Sequence, residues 1–574
     1  MRSFAYALLI NSVLFTLFFI TFNSHYELID DLFMQLIAQG FYTGEPSEYL
    51  VYTHFLIGLM LRWLYSISVQ YNWYFLYLMA VQFTSLTALL TLFQRGRNKK
   101  ALLVLYCVFF LFAQLHMLQN PQFTTIAFLA GVAGLFLLLE GLCATPSVHK
   151  FKILMGFLFI ALMIMVRKDV FFALGLFAIP FLVERMQKNN LRRFIGGALA
   201  CILLYAALWG SNQCYYKRTS EWANFLEYNT MYGKIETTRL KYYAIQAAPS
   251  VGWSATDALM FVEFYFPEPE VYLPLSKIRI FMETAQKNAA ATPLSLPSAF
   301  VSYFSATWLD VGGATGALTI FAILVSVACV LVSGHHRRRL AITLCVLFVY
   351  LCLVGFLVYL HAHFPPRLSY CMPLFIILVC LYWTGEFVWG AGGTEKIYQR
   401  FIKWGALTII GALCVSPMFL MAKRFLRVNA GYRDDLVGVH KTIADPIKKL
   451  LPGGEKPVIV LFPNGSNLER SLFFCKGNDA PFYCVPWSWL AHSPIFQKVL
   501  EQHHLLPFSR SLVDRPDVFL LMADNWIERV KTFYLEHYGM HVRFDRVLNA
   551  TALKESGRKN GHSLYQLHLE KNEQ

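Results

Sequence analysis

His25-Tyr-Glu-Leu-Ile-Asp-Asp-Leu-Phe-Met34 follows an apolar run, Phe4 to Phe22, that is long enough to cross a bilayer. Asp30 and Asp31 lie where the chain should emerge on the far side. A carboxylate pair is costly in hydrocarbon and needs water or partners at its edge. Two chemistries suit it there: taking a proton from an incoming hydroxyl, or holding a divalent cation. On position alone a structural role is simpler, because Asp is common in a first helical turn and Asp30 can cap the helix that follows.

The whole chain sets the context. Its 574 residues are 56% hydrophobic and only 15% charged, too apolar for a soluble globule. The first run holds Asn11 and lacks a small-residue cleavage site, so it reads as a retained helix rather than a signal peptide. The net charge of +15 sits in short clusters between apolar runs, a mark of membrane orientation rather than of nucleic-acid binding. The twelve cysteines have no metal-type spacing, and most lie in apolar runs as small hydrophobes.

The runs read as spans are 4–22, 72–93, 101–118, 123–144, 151–166, 170–183, 194–210, 312–333, 340–360, 367–390 and 401–422. That makes about eleven transmembrane helices. The run 51–66 holds His54 and Arg62. If it lies along the surface, the clusters at Arg95–Lys100, Lys150/Lys152, Arg185–Arg193 and Arg337–Arg339 fall on one side with Arg2. If it crosses, they do not, so it reads as an interfacial or re-entrant helix. Lys423, Arg424 and Arg427 cancel the bias of Lys396, Arg400 and Lys403, so the last crossing rests on parity.

This layout divides the chain into a membrane domain, 1–422, and a tail, 423–574. The outer side holds a first loop, 23–71, and an aromatic-rich second loop, 211–311. In the second loop Ser254-Ala-Thr-Asp257 reads as a capping box. In the tail Pro457–Phe462, Phe482–Val485, Asp517–Met522 and Ser563–Leu569 read as strands, and Asn525–Tyr538 as an amphipathic helix. That pattern is a small α/β extramembrane domain.

Polar residues gather at the outer mouths of the spans. They include His116, Gln119 and Asn120, then Arg167, Lys168 and Asp169, then His361, His363 and Arg367. Arg, Lys and protonated His hold phosphate; singly, each also reads as an interfacial anchor. The helix opening at Asp30-Asp31 should end near Gly40, ahead of an interfacial helix from Tyr52 to Tyr65.

A cytoplasmic N-terminus, a first span, an outer loop opening on paired acids, many further spans and an outer C-terminal domain resemble the GT-C glycosyltransferase superfamily. The resemblance covers the architecture of the chain, and at motif level only 23–71. It implies a polyprenyl-phosphate-linked sugar donor, an acceptor glycan or lipid, and Asp30 or Asp31 as catalytic acid. It also implies Arg167, Lys168, His361, His363 and Arg367 as donor-phosphate ligands by position. His54, Trp253 and Asp257 are the loop residues expected near substrate. Some relatives use a divalent metal, so Mg²⁺ or Mn²⁺ at Asp30 and Asp31 is an open expectation. The setting implied is a bacterial inner membrane with a periplasmic tail. Two rivals remain: a flippase for lipid-linked saccharides, and a non-catalytic assembly protein whose tail, with Trp487 and Trp489, binds a partner.

Overall fold

The computed structural model describes residues 2–94, 99–143, 150–185, 191–263, 268–291, 366–386, 456–461, 482–486, 488–513, 515–548 and 562–570. Scattered positions between 318 and 352, and residues 426, 451 and 473, are described as well. The expected span 401–422 therefore lies outside the described residues, as do His361, His363 and Trp487.

The membrane half is built from helices α1 (Arg2–Thr21), α2 (Ile29–Ala38), α3 (Phe55–Ile67) and α4 (Trp73–Phe93). It continues with α5 (Lys99–Phe109), a π turn (Phe110–Gln114), α6 (Leu115–Gln119), α7 (Phe123–Cys143), α8 (Lys150–Val166), α9 (Val170–Arg185) and α10 (Leu191–Tyr216). Among the described residues five helices are long and apolar enough to cross a membrane: Arg2–Thr21, Trp73–Phe93, Leu102–Gln119, Phe123–Cys143 and Leu191–Tyr216. α9 carries Pro180 without a break. The described positions of the expected runs 312–333 and 340–360 are all helical.

Lipid is as apolar as leucine, so these helices need more than hydrophobicity to associate. Close contact supplies part of it: a Cβ on Gly134 of α7 would fall 2.9 Å from the Gly156 carbonyl of α8. Buried hydrogen bonds supply the rest. Asn11 donates to Thr87 Oγ1 at 3.2 Å and accepts from Tyr106 OH at 2.6 Å, tying α1, α4 and α5. Gln82 donates to Gln114 at 2.8 Å.

The first outer loop lies between α1 and α4. α2 ends as expected: Gly40 N–H bonds the Ile37 carbonyl and Phe41 N–H the Leu36 carbonyl, a Schellman closure with Gly40 at φ +77°. α3 begins at Phe55 rather than Tyr52, because His54 accepts the Leu56 N–H as its cap. Its 13 residues rise about 20 Å, short of the roughly 30 Å hydrocarbon core.

Beyond α10 the second loop folds into helix α11 (Ser220–Thr237), the short helix Ala255–Val262 and the helix Leu275–Ala291. The capping box is present in full: Ser254 Oγ accepts from Asp257 N–H and Asp257 from Ser254 N–H.

The C-terminal domain is a mixed five-stranded sheet of β1 (Val458–Leu461), β2 (Tyr483–Val485), β3 (Val518–Ala523), β4 (Val542–Leu548) and β5 (His562–Leu569), in the order β2-β1-β3-β5-β4. β1 is parallel to β2 and β3, and β5 is antiparallel to β3 and β4. Every residue of β3 is buried, as suits a central strand. β4 escaped the sequence reading, because its Arg543, Asp545 and Arg546 break the apolar alternation that marks a strand.

Gly40→Ala tests the loop geometry. Its Cβ would lie 2.4 Å from the Glu45 carbonyl carbon, at a φ that alanine adopts only under strain. We expect a loss of at least about 1 kcal/mol, read as a lower melting temperature of the purified protein.

Candidate functional site

Consecutive residues on a helix point about 100° apart, so the two aspartates of α2 have different surroundings. Asp31 is 0% exposed. Its Oδ1 accepts from Tyr74 OH at 2.9 Å and from the Phe123 N–H at 3.2 Å. Phe123 is the first residue of α7. Asp31 therefore caps a helix, but not its own: α2 has Leu28 at its N-cap and no side-chain cap. Burial pushes the Asp31 carboxyl well above the usual range, with Asp30 and Glu27 adding to the rise and the two hydrogen bonds opposing it.

Asp30 is half-buried, and its Oδ1 accepts from Trp489 Nε1 at 3.0 Å. Trp489 belongs to the C-terminal domain, and its ring packs on Tyr52 at 4.7 Å and Phe33 at 6.0 Å. Arg167, at the α8–α9 turn, stands 5.0 Å from the ring centres of both Tyr52 and Phe123. Its Nε also pairs with Asp169 at 3.1 Å. The ring that packs on the tryptophan bonded to Asp30, Tyr52, thus has a guanidinium over it. Lys168 is half-buried beside it.

A second basic group closes the mouth. His116 Nε2 is 3.8 Å from Glu27, and its ring is 5.3 Å from Tyr370. Tyr370 lies in the helix Pro366–Glu386, whose first turn carries Arg367. Tyr370 donates at 2.7 Å to the Ala113 carbonyl within the π turn.

The expected loop residues are placed differently. His54 has both ring nitrogens engaged: Nδ1 by the Leu56 N–H at 3.3 Å, and Nε2 by the Leu208 carbonyl at 2.9 Å. Burial lowers its pKa, so it is a neutral joint between α3 and α10. Trp253 is buried, its Nε1 donating to the Val271 carbonyl at 3.1 Å. Asp257 is buried too, with Oδ1 on His537 Nε2 at 2.6 Å. None of the contacts seen among the described residues joins Trp253 or Asp257 to the acid pair.

The C-terminal domain grips both outer loops. On the first, Lys498 pairs with Glu45 at 3.1 Å and Gln502 donates to the Thr43 carbonyl at 3.3 Å. On the second, Ser254 Oγ donates to Glu536 at 2.7 Å, and buried Glu268 accepts the Ser509 N–H at 3.0 Å. The tail thus contacts both loops.

Two groups of side chains offer carboxylates that a cation would need. At the acid pair, Asp31 is closed off and held by Tyr74 and Phe123, so a cation gripped by both carboxylates does not fit. Asp257, Glu536 and His537 bring ligand atoms within 4.8 Å of one another. There Asp257 is already engaged by Ser254 N–H and His537, and the trio works as a latch between loop and domain.

The latch has a pH signature. The hydrogen bond to Asp257 raises the His537 pKa above 6.5, burial opposes it, and Glu536 and Glu268 add to the rise. A raised folded-state value means the contribution is complete below the unfolded value, about 6.5. It is lost as pH climbs through the higher folded one. Hydrogen-exchange protection of the helix Ile527–Tyr538 should fall as pH rises across that window, and His537→Phe should flatten the profile.

No known protein family matches the sequence. No curated protein is similar to it. Among solved structures, the chain is similar to ArnT from Cupriavidus metallidurans in the apo state, over 98% of each chain, at 10% identity and a TM-score of 0.40. The likeness runs the length of both chains. At that identity and score it carries no argument of its own, and what the site can do rests on its residues.

Proposed function

We propose that this chain is a membrane glycosyltransferase that moves a sugar from a polyprenyl-phosphate donor to an acceptor hydroxyl of an envelope glycan or lipid. The observation that carries the reading is the junction of Asp30, Trp489, Tyr52 and Arg167. It puts a half-buried carboxylate, aromatic faces and a guanidinium within one contact network. Aromatic faces suit sugar rings, carboxylates suit hydroxyl protons, and guanidinium suits phosphate.

The two acids divide the work. Asp30 is the base: it takes the proton of the acceptor hydroxyl as that oxygen bonds to the anomeric carbon. The bond from that carbon to the phosphate oxygen breaks, and the phosphate leaves with the electron pair. Arg167 is the first candidate to stabilise that growing charge, with Lys168, Arg367, His361 and His363 as further donor-phosphate ligands. Asp31 is a positioning residue that fixes α2 on α7. No step here requires a metal.

Lysine and arginine bias supports a cytoplasmic N-terminus and a periplasmic tail in a bacterial inner membrane. A flippase would carry ionisable groups along its spans. Among the described residues Glu140, Lys152, Glu184 and Arg185 gather at one end instead, with Tyr382 and Trp383.

Mass spectrometry of envelope glycans from cells with and without the protein should differ by one sugar residue. Asp30→Asn should cut transfer by about 10²–10⁴-fold at unchanged protein level. Asp31→Asn keeps an acceptor for Tyr74 and Phe123 and should lose far less. Undiminished product from Asp30→Asn would end the proposal.

A further inference from the structure

The strap that carries Tyr52 is folded under strain. Leu50 N–H bonds the Glu48 carbonyl at 3.0 Å, and Tyr52 N–H bonds the Leu50 carbonyl at 2.8 Å. Each bond closes a three-residue γ-turn. The second turn has Val51 at its centre, with φ +67°. A β-branched residue is an outlier there, because its side chain crowds the backbone. Such strain persists only where the surroundings over-determine it, and it clusters at functional sites.

The surroundings here begin with consecutive tyrosines at the end of α10. Tyr215 OH donates to Glu48 Oε1 at 3.0 Å, and Arg62 of α3 donates to Oε2 of the same carboxylate at 3.1 Å. Tyr216 is 1% exposed, and its hydroxyl oxygen accepts the Val51 N–H at 2.8 Å. Tyr49 stacks on Trp222 of α11 at 4.2 Å. The strap is pressed so closely on α3 that a Cβ on Gly58 would overlap the Glu48 carbonyl. Beyond the turn, His54 N–H bonds the Met165 carbonyl at 2.8 Å, just ahead of Arg167.

Tyr52 takes its direction from this frame. Its ring lies 4.7 Å from Trp489, and the Arg167 guanidinium stands 5.0 Å from its centre. Were Val51 to relax to a negative φ, the turn would open and re-aim that ring.

We infer that Tyr216 is a positioning residue for sugar transfer: its hydroxyl holds Val51 in the left-handed γ-turn that aims Tyr52 between Trp489 and Arg167. This rests on the transferase reading and deepens it, by bringing the end of α10 into the site.

The test gives cells lacking the protein an inducible copy of the full chain, wild type or variant. Mass spectrometry of envelope glycans then follows the rate of sugar addition per unit of protein. Tyr216→Phe keeps the ring and removes only the acceptor oxygen, so the rate should fall about tenfold, the worth of one hydrogen bond. Glycine adopts a positive φ without strain. Val51→Gly in the Tyr216→Phe background should therefore restore the rate, whereas Val51→Ala should not. Hydrogen exchange of the purified protein gives a readout that needs no turnover. The Tyr52 amide, bonded within the turn, should lose protection in Tyr216→Phe and regain it with Val51→Gly. A wild-type rate in Tyr216→Phe, or equal rescue by glycine and alanine, overturns the inference and leaves the transferase reading in place. Failure of that reading looks different: the wild-type chain then adds no sugar, and this inference falls with it.

Discussion

The outer half of this protein depends on one buried carboxylate. Asp31 receives the first N–H of α7 and the hydroxyl of Tyr74 on α4, while its own backbone sits in α2. Three segments distant in sequence are joined at one side chain. A helix start buried without an acceptor would carry an orphan donor, and α7 is the most buried of the five long apolar helices among the described residues. Asp31 satisfies that donor and in doing so sets the direction of α2. With α2 fixed, Asp30 points about 100° away from Asp31, toward Trp489 of the C-terminal domain.

That domain is part of the site rather than an appendage. Trp489 reaches Asp30, while Lys498 and Gln502 hold the turn after α2. Glu268 and the Asp257–His537 pair hold the second loop to the same body. Exposed ion pairs such as Lys498–Glu45 contribute little each. The buried contacts of Trp489 and Glu268 matter more, because their polar groups have no water to fall back on. Through Trp489 the domain covers Asp30, and the same indole packs on Tyr52, over which Arg167 stands.

The same economy of polar groups explains the membrane half. Asn11, Gln82 and Gln114 are hydrogen-bonded between helices, which makes them cement rather than a path.

Hydrophobic run length alone located the described spans, because the bilayer imposes a length that composition must meet. Within 51–66 the described helix is Phe55–Ile67, 13 residues long. The end of α2 at Gly40, the capping box at Ser254 and four of the five strands were also legible, since each follows from local backbone chemistry. Sequence could not say which aspartate would be buried, because a cap supplied from another segment leaves no local pattern. Nor could it bring Trp489 to Asp30, pair Asp257 with His537, or withdraw Trp253 and His54 into structural roles. Those facts depend on which surfaces meet across hundreds of residues, and packing decides that only when the whole chain has folded.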